Sequence, residues 1–138
     1  MLYRESPQLS LSWCYLAVGG DKLQESYLIL QELVEKFGPS MQVATALGVC
    51  QLHLKKYTEA AELFKEAREL AMQTKQRLSA DTVVNSIVCE QHLRKADAAA
   101  TIAALTAELQ AMAPRHAWLR KQAEMDALFD KCAQSFAA

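Results

Sequence analysis

The sequence predicts an all-α solenoid: three antiparallel helix pairs in series and one further helix across the open end. Three observations carry this. Ala and Leu supply 23 and 19 of the 138 residues, against four Gly and three Pro, a balance that favours helix and leaves too few turn formers for a sheet-rich fold. The chain also resembles itself: His53 to Ala61 matches His92 to Ala100 at an offset of 39, and Lys22 to Ser26 matches Lys56 to Ala60 at an offset of 34. Finally, apolar residues recur at spacings of three and four. At 138 residues the length suits one domain over residues 1–138, able to bury about two thirds of its unfolded surface without disulfides or metal.

Thirty-four residues is the tetratricopeptide (TPR) period. The longer offset is the same unit extended by five residues, which fits a longer loop at Thr74 to Leu78. The fold class is therefore a TPR-like α-solenoid with units at about 7–40, 41–74 and 80–113 and a capping helix at about 116–136. The first helix ends at Gly19-Gly20, and Asp21-x-x-Gln24 reads as a capping box for the second. Leu23, Tyr27, Leu30, Val34 and Phe37 form that helix's apolar stripe; Gly38-Pro39 stops it, and Ser40 caps the third. The middle unit resembles the TPR pattern most closely, with Leu47, Gly48, Ala60, Phe64 and Ala67 at matching positions. Small residues let the paired helices approach, and the Phe fills the space between them. The first unit offers Cys14, Ser26 and Leu33 at the small positions, Leu33 being a departure. The third keeps Ala99 but has Ile87 in place of the Gly. Pro114 stops the sixth helix. Trp118, Gln122, Met125, Phe129, Cys132 and Phe136 then mark a seventh, whose natural place is across the last unit as a terminal cap.

Several function classes fall away. The formal net charge of -1 gives no field for gripping nucleic acid or an anionic membrane. The uncharged stretch Pro39 to Leu54 is too short and too polar to span a bilayer, so direct membrane insertion is not expected. Met1 to Glu5 has no signal-peptide core. Cys14, Cys50, Cys89 and Cys132 form no C-x-x-C and read as reduced, buried, cytosolic cysteines. No phosphate loop, nucleophile elbow or H-E-x-x-H is present, so no enzyme activity and no cofactor are expected. Cys50-x-x-His53 and Cys89-x-x-His92 have ligand spacing, but they occupy equivalent places in two units. Stacked neighbours lie roughly 10 Å apart, so buried thiols with helix-end histidines are expected, and no metal. Glu59, Glu62, Glu66 and Glu69, interleaved with Lys65 and Arg68, read as a solvated face with i,i+3 ion pairs. Arg115, His116, Arg120 and Lys121 read as the first turn and outer face of the capping helix.

The informative surface is the concave one, lined by the first helix of each pair. The TPR positions that usually point there are Gln8, Leu11, Tyr15 and Val18, then Gln42, Thr45, Val49 and Leu52, then Asp81, Val84, Val88 and Gln91. This lining is apolar with polar edges. It lacks the basic set with which chaperone-binding TPR domains clamp a C-terminal carboxylate, Asn85 alone occupying one of those places. An apolar polypeptide segment is the expected ligand. A TPR scaffold or cochaperone outside vesicle traffic is the alternative reading.

Three ordered stretches carry a more specific resemblance. Leu16 to Glu25 (LAVGGDKLQE) is similar to an L-A-T-G-G-E-K-L-Q-D stretch, and Asn85 to Lys95 (NSIVCEQHLRK) is similar to N-L-I-V-x-S-Q-H-L-G-K. His116 to Asp130, with Trp118, Leu119, Phe129 and Asp130, resembles an H-P-F-I…D-F-D segment. All three belong to the epsilon subunit family of coatomer, the COPI vesicle coat, and the chain resembles the C-terminal half of that longer protein. Arg94 stands at a family Gly and Ala117 at a family Pro. The resemblance implies a non-catalytic subunit that binds and stabilises the C-terminal domain of the coatomer alpha subunit. It implies a role in Golgi-to-ER and intra-Golgi transport, in the cytoplasm and peripherally on Golgi membranes and COPI vesicles. Without the upstream repeats the first helix is expected to expose Leu9, Leu16 or their neighbours and to promote self-association.

Overall fold

The computed structural model describes residues 7–137, with side chains from Leu11 to Phe136. Met1 to Glu5 and the side chains of Gln8 and Leu9 lie outside the described residues. Seven helices follow one another: α1 (Pro7–Val18), α2 (Lys22–Phe37), α3 (Met41–His53), α4 (Tyr57–Gln73), α5 (Ala80–Leu93), α6 (Ala98–Met112) and α7 (Ala117–Ala137). No strand occurs among the described residues. From α1 to α6 each helix packs on the next, while α1 touches α3 and α3 touches α5. The odd helices thus form one layer and the even helices cover it, which is the arrangement of a TPR-like α-solenoid.

The middle pair closes as its small residues require. A Cβ added at Gly48 would lie 2.6 Å from Phe64 Cε1, so the α4 ring sits directly on the α3 backbone. Ala60 and Ala67 are fully buried on either side of it. The first pair closes elsewhere than expected. Ser26 donates from its Oγ to the Ser12 carbonyl at 2.9 Å, and both serines are fully buried, whereas Cys14 is exposed. The close approach is therefore at Ser12, two residues earlier than the repeat period places it. The Ser26 hydroxyl there satisfies a buried helix carbonyl while the small Ser12 side chain lets the two helices approach.

Other details correct the sequence-based expectations. On α2 the buried face is Leu23, Ser26, Leu30 and Leu33, while Tyr27 and Val34 are only partly buried and Phe37 is exposed. A helix held between α1 and α3 presents an edge to each, which rotates the apolar stripe and makes the departing Leu33 a core residue. Asp21 makes no side-chain cap; its backbone is already helical, with φ -63°. Ser40 does cap α3, accepting from the Val43 amide, and Ser79 caps α5 through the Thr82 amide. Arg68 pairs across the fold with Glu108 of α6, 2.7 Å from Nη1 to Oε2, rather than within α4. Leu16 is buried, and the apolar residues that the first helix exposes are its neighbours Leu11, Trp13 and Val18.

The terminal helix departs furthest. Trp118 and Leu119 pack against Val83, Ile87 and Leu109. The His116 ring anchors the preceding turn: its Nδ1 accepts from the Trp118 amide at 3.1 Å, so its Nε2 carries the proton and donates to Asp81 Oδ1 at 3.0 Å. From Ala123 to Phe136 every residue is exposed. The helix caps the last pair with its first turn only, and the rest projects from the body.

Candidate functional site: the concave groove

A groove of about 740 Å³ runs between α3 and α5. The α4–α5 loop closes one side through Arg77, Leu78 and Ser79, and Trp13 of α1 closes another. The arrangement follows from the local sequence. Val43, Ala46 and Cys50 turn one face of α3 into the core, so Gln42, Thr45, Val49 and Leu52 fall on the opposite side and line the groove. Val83 and Ile87 do the same for α5, leaving Asp81, Val84 and Asn85 to face α3. The floor is aliphatic and aromatic, and the rim carries amide, hydroxyl and charged groups.

Six of the twelve expected concave residues meet in this groove: Gln42, Thr45, Val49, Leu52, Asp81 and Val84; the side chain of Gln8 lies outside the described residues. Five do not line it. Leu11 and Val18 of α1 are exposed. Tyr15 is half-buried beneath the Lys22 ammonium, which lies 5.1 Å from the ring centroid. Val88 is half-buried and Gln91 exposed, both further along α5. Because Ser12 rather than Cys14 faces α2, α1 is turned so that the next residue, Trp13, lines the groove. Trp13, Met41, His53 and the Arg77–Ser79 loop escape a reading of the repeat positions alone. The five-residue lengthening between units is the signal for the loop; nothing in the repeat spacing points to Trp13.

Chemistry elsewhere is sparse. Burial pushes the Cys50 thiol up, opposed by a 3.6 Å contact with Ser26 Oγ. Burial, with the Glu90 charge second, pushes Cys89 up to about 11. Both thiols are protonated at neutral pH, and a thiol is neither nucleophile nor metal ligand. Cys14 and Cys132, in contrast to the expectation of four buried cysteines, are exposed. His92 stacks on Tyr57 with ring centroids 4.1 Å apart. Among the described residues no three His, Cys, Asp or Glu side chains converge as a metal site. No helix there is long and apolar enough to cross a membrane.

A profile of the coatomer epsilon subunit family matches residues 6–137. The chain belongs to that family. Coatomer subunit epsilon-1 of Arabidopsis thaliana is 32% identical over 130 residues, covering 94% of this chain and 41% of the relative. Coatomer subunit epsilon-1 of Oryza sativa subsp. japonica is 30% identical over 130 residues, covering 94% and 42%. Coatomer subunit epsilon of Dictyostelium discoideum is 28% identical over 122 residues, covering 88% and 38%. The chain thus spans about two fifths of the length of the curated relatives it matches.

Proposed function

We propose that this chain is a non-catalytic interaction subunit of the COPI vesicle coat, acting in the cytoplasm and peripherally on Golgi membranes. Its α3–α5 groove receives an apolar segment from the C-terminal domain of the coatomer alpha subunit. Family membership supports the coat assignment. The observation that carries the binding reading is the groove itself, a concave, largely apolar surface of about 740 Å³ with a polar rim. Such a surface suits a polypeptide held by side-chain burial and oriented by a few hydrogen bonds. It does not suit an acidic tail, because Arg77 is the only Lys or Arg among the described residues that line it.

The test is co-purification with the C-terminal domain of the coatomer alpha subunit. Thr45→Arg places a long side chain across the groove from a half-buried site and leaves the core intact. Stoichiometric capture by the native chain, reduced at least about tenfold by Thr45→Arg, is the expected result; that is the scale of truncating a central contact. Capture unchanged by Thr45→Arg moves the interface off the groove. A folded chain that captures nothing, alone or with the upstream repeats of a relative fused to it, overturns the reading.

A further inference from the structure

Beyond Gln122 the apolar stripe of α7 is uncovered by the rest of the described chain. Trp118, Gln122, Met125, Phe129, Cys132 and Phe136 alternate by four and three, which are the d and a positions of a heptad. Leu128, at the flanking g position, widens this seam where it is exposed. The body takes the start of this seam at Trp118. Exposure then rises through Met125 at 62% and Phe129 at 75% to Phe136 at 91%, with Leu128 beside them at 63%. An isolated helical extension of this length is marginal in water on propensity alone.

We propose that residues 125–136 of α7 pair antiparallel with the same segment of a second copy of this chain. Sterics choose the direction. The body occupies the seam at Trp118, where a parallel, in-register partner helix would have to begin. Antiparallel helices carry their two bodies to opposite ends. Two antiparallel registers set a positions over d positions. One faces Met125 with Phe129 and runs back to set Trp118 over Phe136, into the stretch the body already covers. It also sets Asp126 beside Asp126 of the second copy, and like charges so placed repel. The other faces Met125 with Phe136 and Phe129 with Cys132. It stays clear of the body and sets Asp126 beside Ala133 and Leu128 beside Ser135, with no like charges opposed.

The area is sufficient for a specific, weak dimer. A buried Phe contributes roughly 150 Å² or more. Four Phe rings with the paired Met, Leu and Cys side chains bury on the order of 1,000 Å², the lower bound of a specific interface. The outer face of α7 argues against a membrane as occupant. Arg120, Lys121 and Lys131 are balanced by Glu124, Asp126 and Asp130, whereas interfacial helices carry a basic polar face.

Sedimentation equilibrium of the full chain tests this, from roughly 1 to 100 μM, the range in which an interface of this size associates. The mass is expected to rise to that of two chains. Phe129→Glu is expected to weaken dimerisation at least about tenfold, with helicity and melting of the dilute protein unchanged. Mixing an Asp126→Cys chain with an Ala133→Cys chain, each carrying Cys14→Ser and Cys132→Ala, is expected to give a mixed disulfide under mild oxidation. A single-chain mass throughout overturns the proposal, as does a dimer indifferent to Phe129→Glu. Self-linking of the Asp126→Cys chain in place of the mixed product overturns the register. A monomer that binds phosphatidylcholine vesicles, or the C-terminal domain of the alpha subunit, only when Phe129 is intact gives the face to that occupant and overturns the dimer.

Discussion

Helices α4 and α7 carry the same kind of amphipathic message and meet different ends. Each has an apolar stripe at helical spacing and a charged opposite face. Helix α4 lies between α3 and α5 and buries Ala60, Phe64, Ala67 and Ala71. Among the described residues, helix α7 has a neighbour on one side of its first turn and none beyond. A stripe states what a helix can bury; the number of neighbours decides what it does bury. The small residues of α4 are useful only because α3 brings Gly48 to meet Phe64, and α7 has no such counterpart within reach.

Substitutions on the two helices put this contrast to the test. The largest effect is expected from Phe64→Ala, which empties the space between α3 and α4 and costs about 3–5 kcal/mol in chemical denaturation. A loss below about 1 kcal/mol there would show that the α3–α4 contact is not the tight one. Gly48→Ala is expected to cost roughly 1–2 kcal/mol, because overpacking against the ring at about 1–3 kcal/mol outweighs about 1 kcal/mol of gained helix propensity. In a Phe64→Leu background the same change should become neutral or stabilising, and persistence of the full cost would place the strain elsewhere.

Cys89 offers a pH test of the same core. Its folded pKa stands at about 11, above the ordinary 9.0. The contribution of the protonated thiol to stability is therefore complete below about pH 9 and is lost as pH rises through 11. Cys89→Ala should flatten that part of the stability–pH curve relative to the native chain. Equal slopes would mean that the thiol is wetter than its burial indicates.

A smaller, favourable effect is expected at Arg94. It ends α5 in the left-handed region at φ 50°, where a Cβ is strained. Arg94→Gly is expected to raise stability by about 0.5–1 kcal/mol, and a loss would reveal an unrecognised role for the side chain. The smallest effects belong to α7. Met125→Gln and Phe129→Gln should shift the stability of the dilute monomer by no more than about 0.5 kcal/mol, as exposed positions do. A large loss would show that α7 folds back onto the body.

Local chemistry was legible wherever one residue type has one physical use. Ser40 announces a helix start because a side-chain oxygen satisfies an amide there. Gly48, Ala60, Phe64 and Ala67 announce a close helix pair because nothing larger fits against the ring. The groove was half legible: α3 follows the repeat register, so Gln42, Thr45, Val49 and Leu52 fall together. Helix α1 does not follow it, because the buried Ser12–Ser26 contact turns it, and so Trp13 replaced Leu11, Tyr15 and Val18 as that end's contribution.

Helix content, the three-pair plan and the family were thus written in composition, period and a few short stretches, all properties that neighbouring residues settle among themselves. Packing settled the rest. Which side of α2 is buried, that Arg68 reaches Glu108 across 40 positions, and that two of four cysteines are exposed all depend on helices distant in sequence. The same holds for the projection of α7. A helix chooses its own periodicity within a turn or two, but its rotation and partners come from the surfaces it meets, and no local signal encodes those.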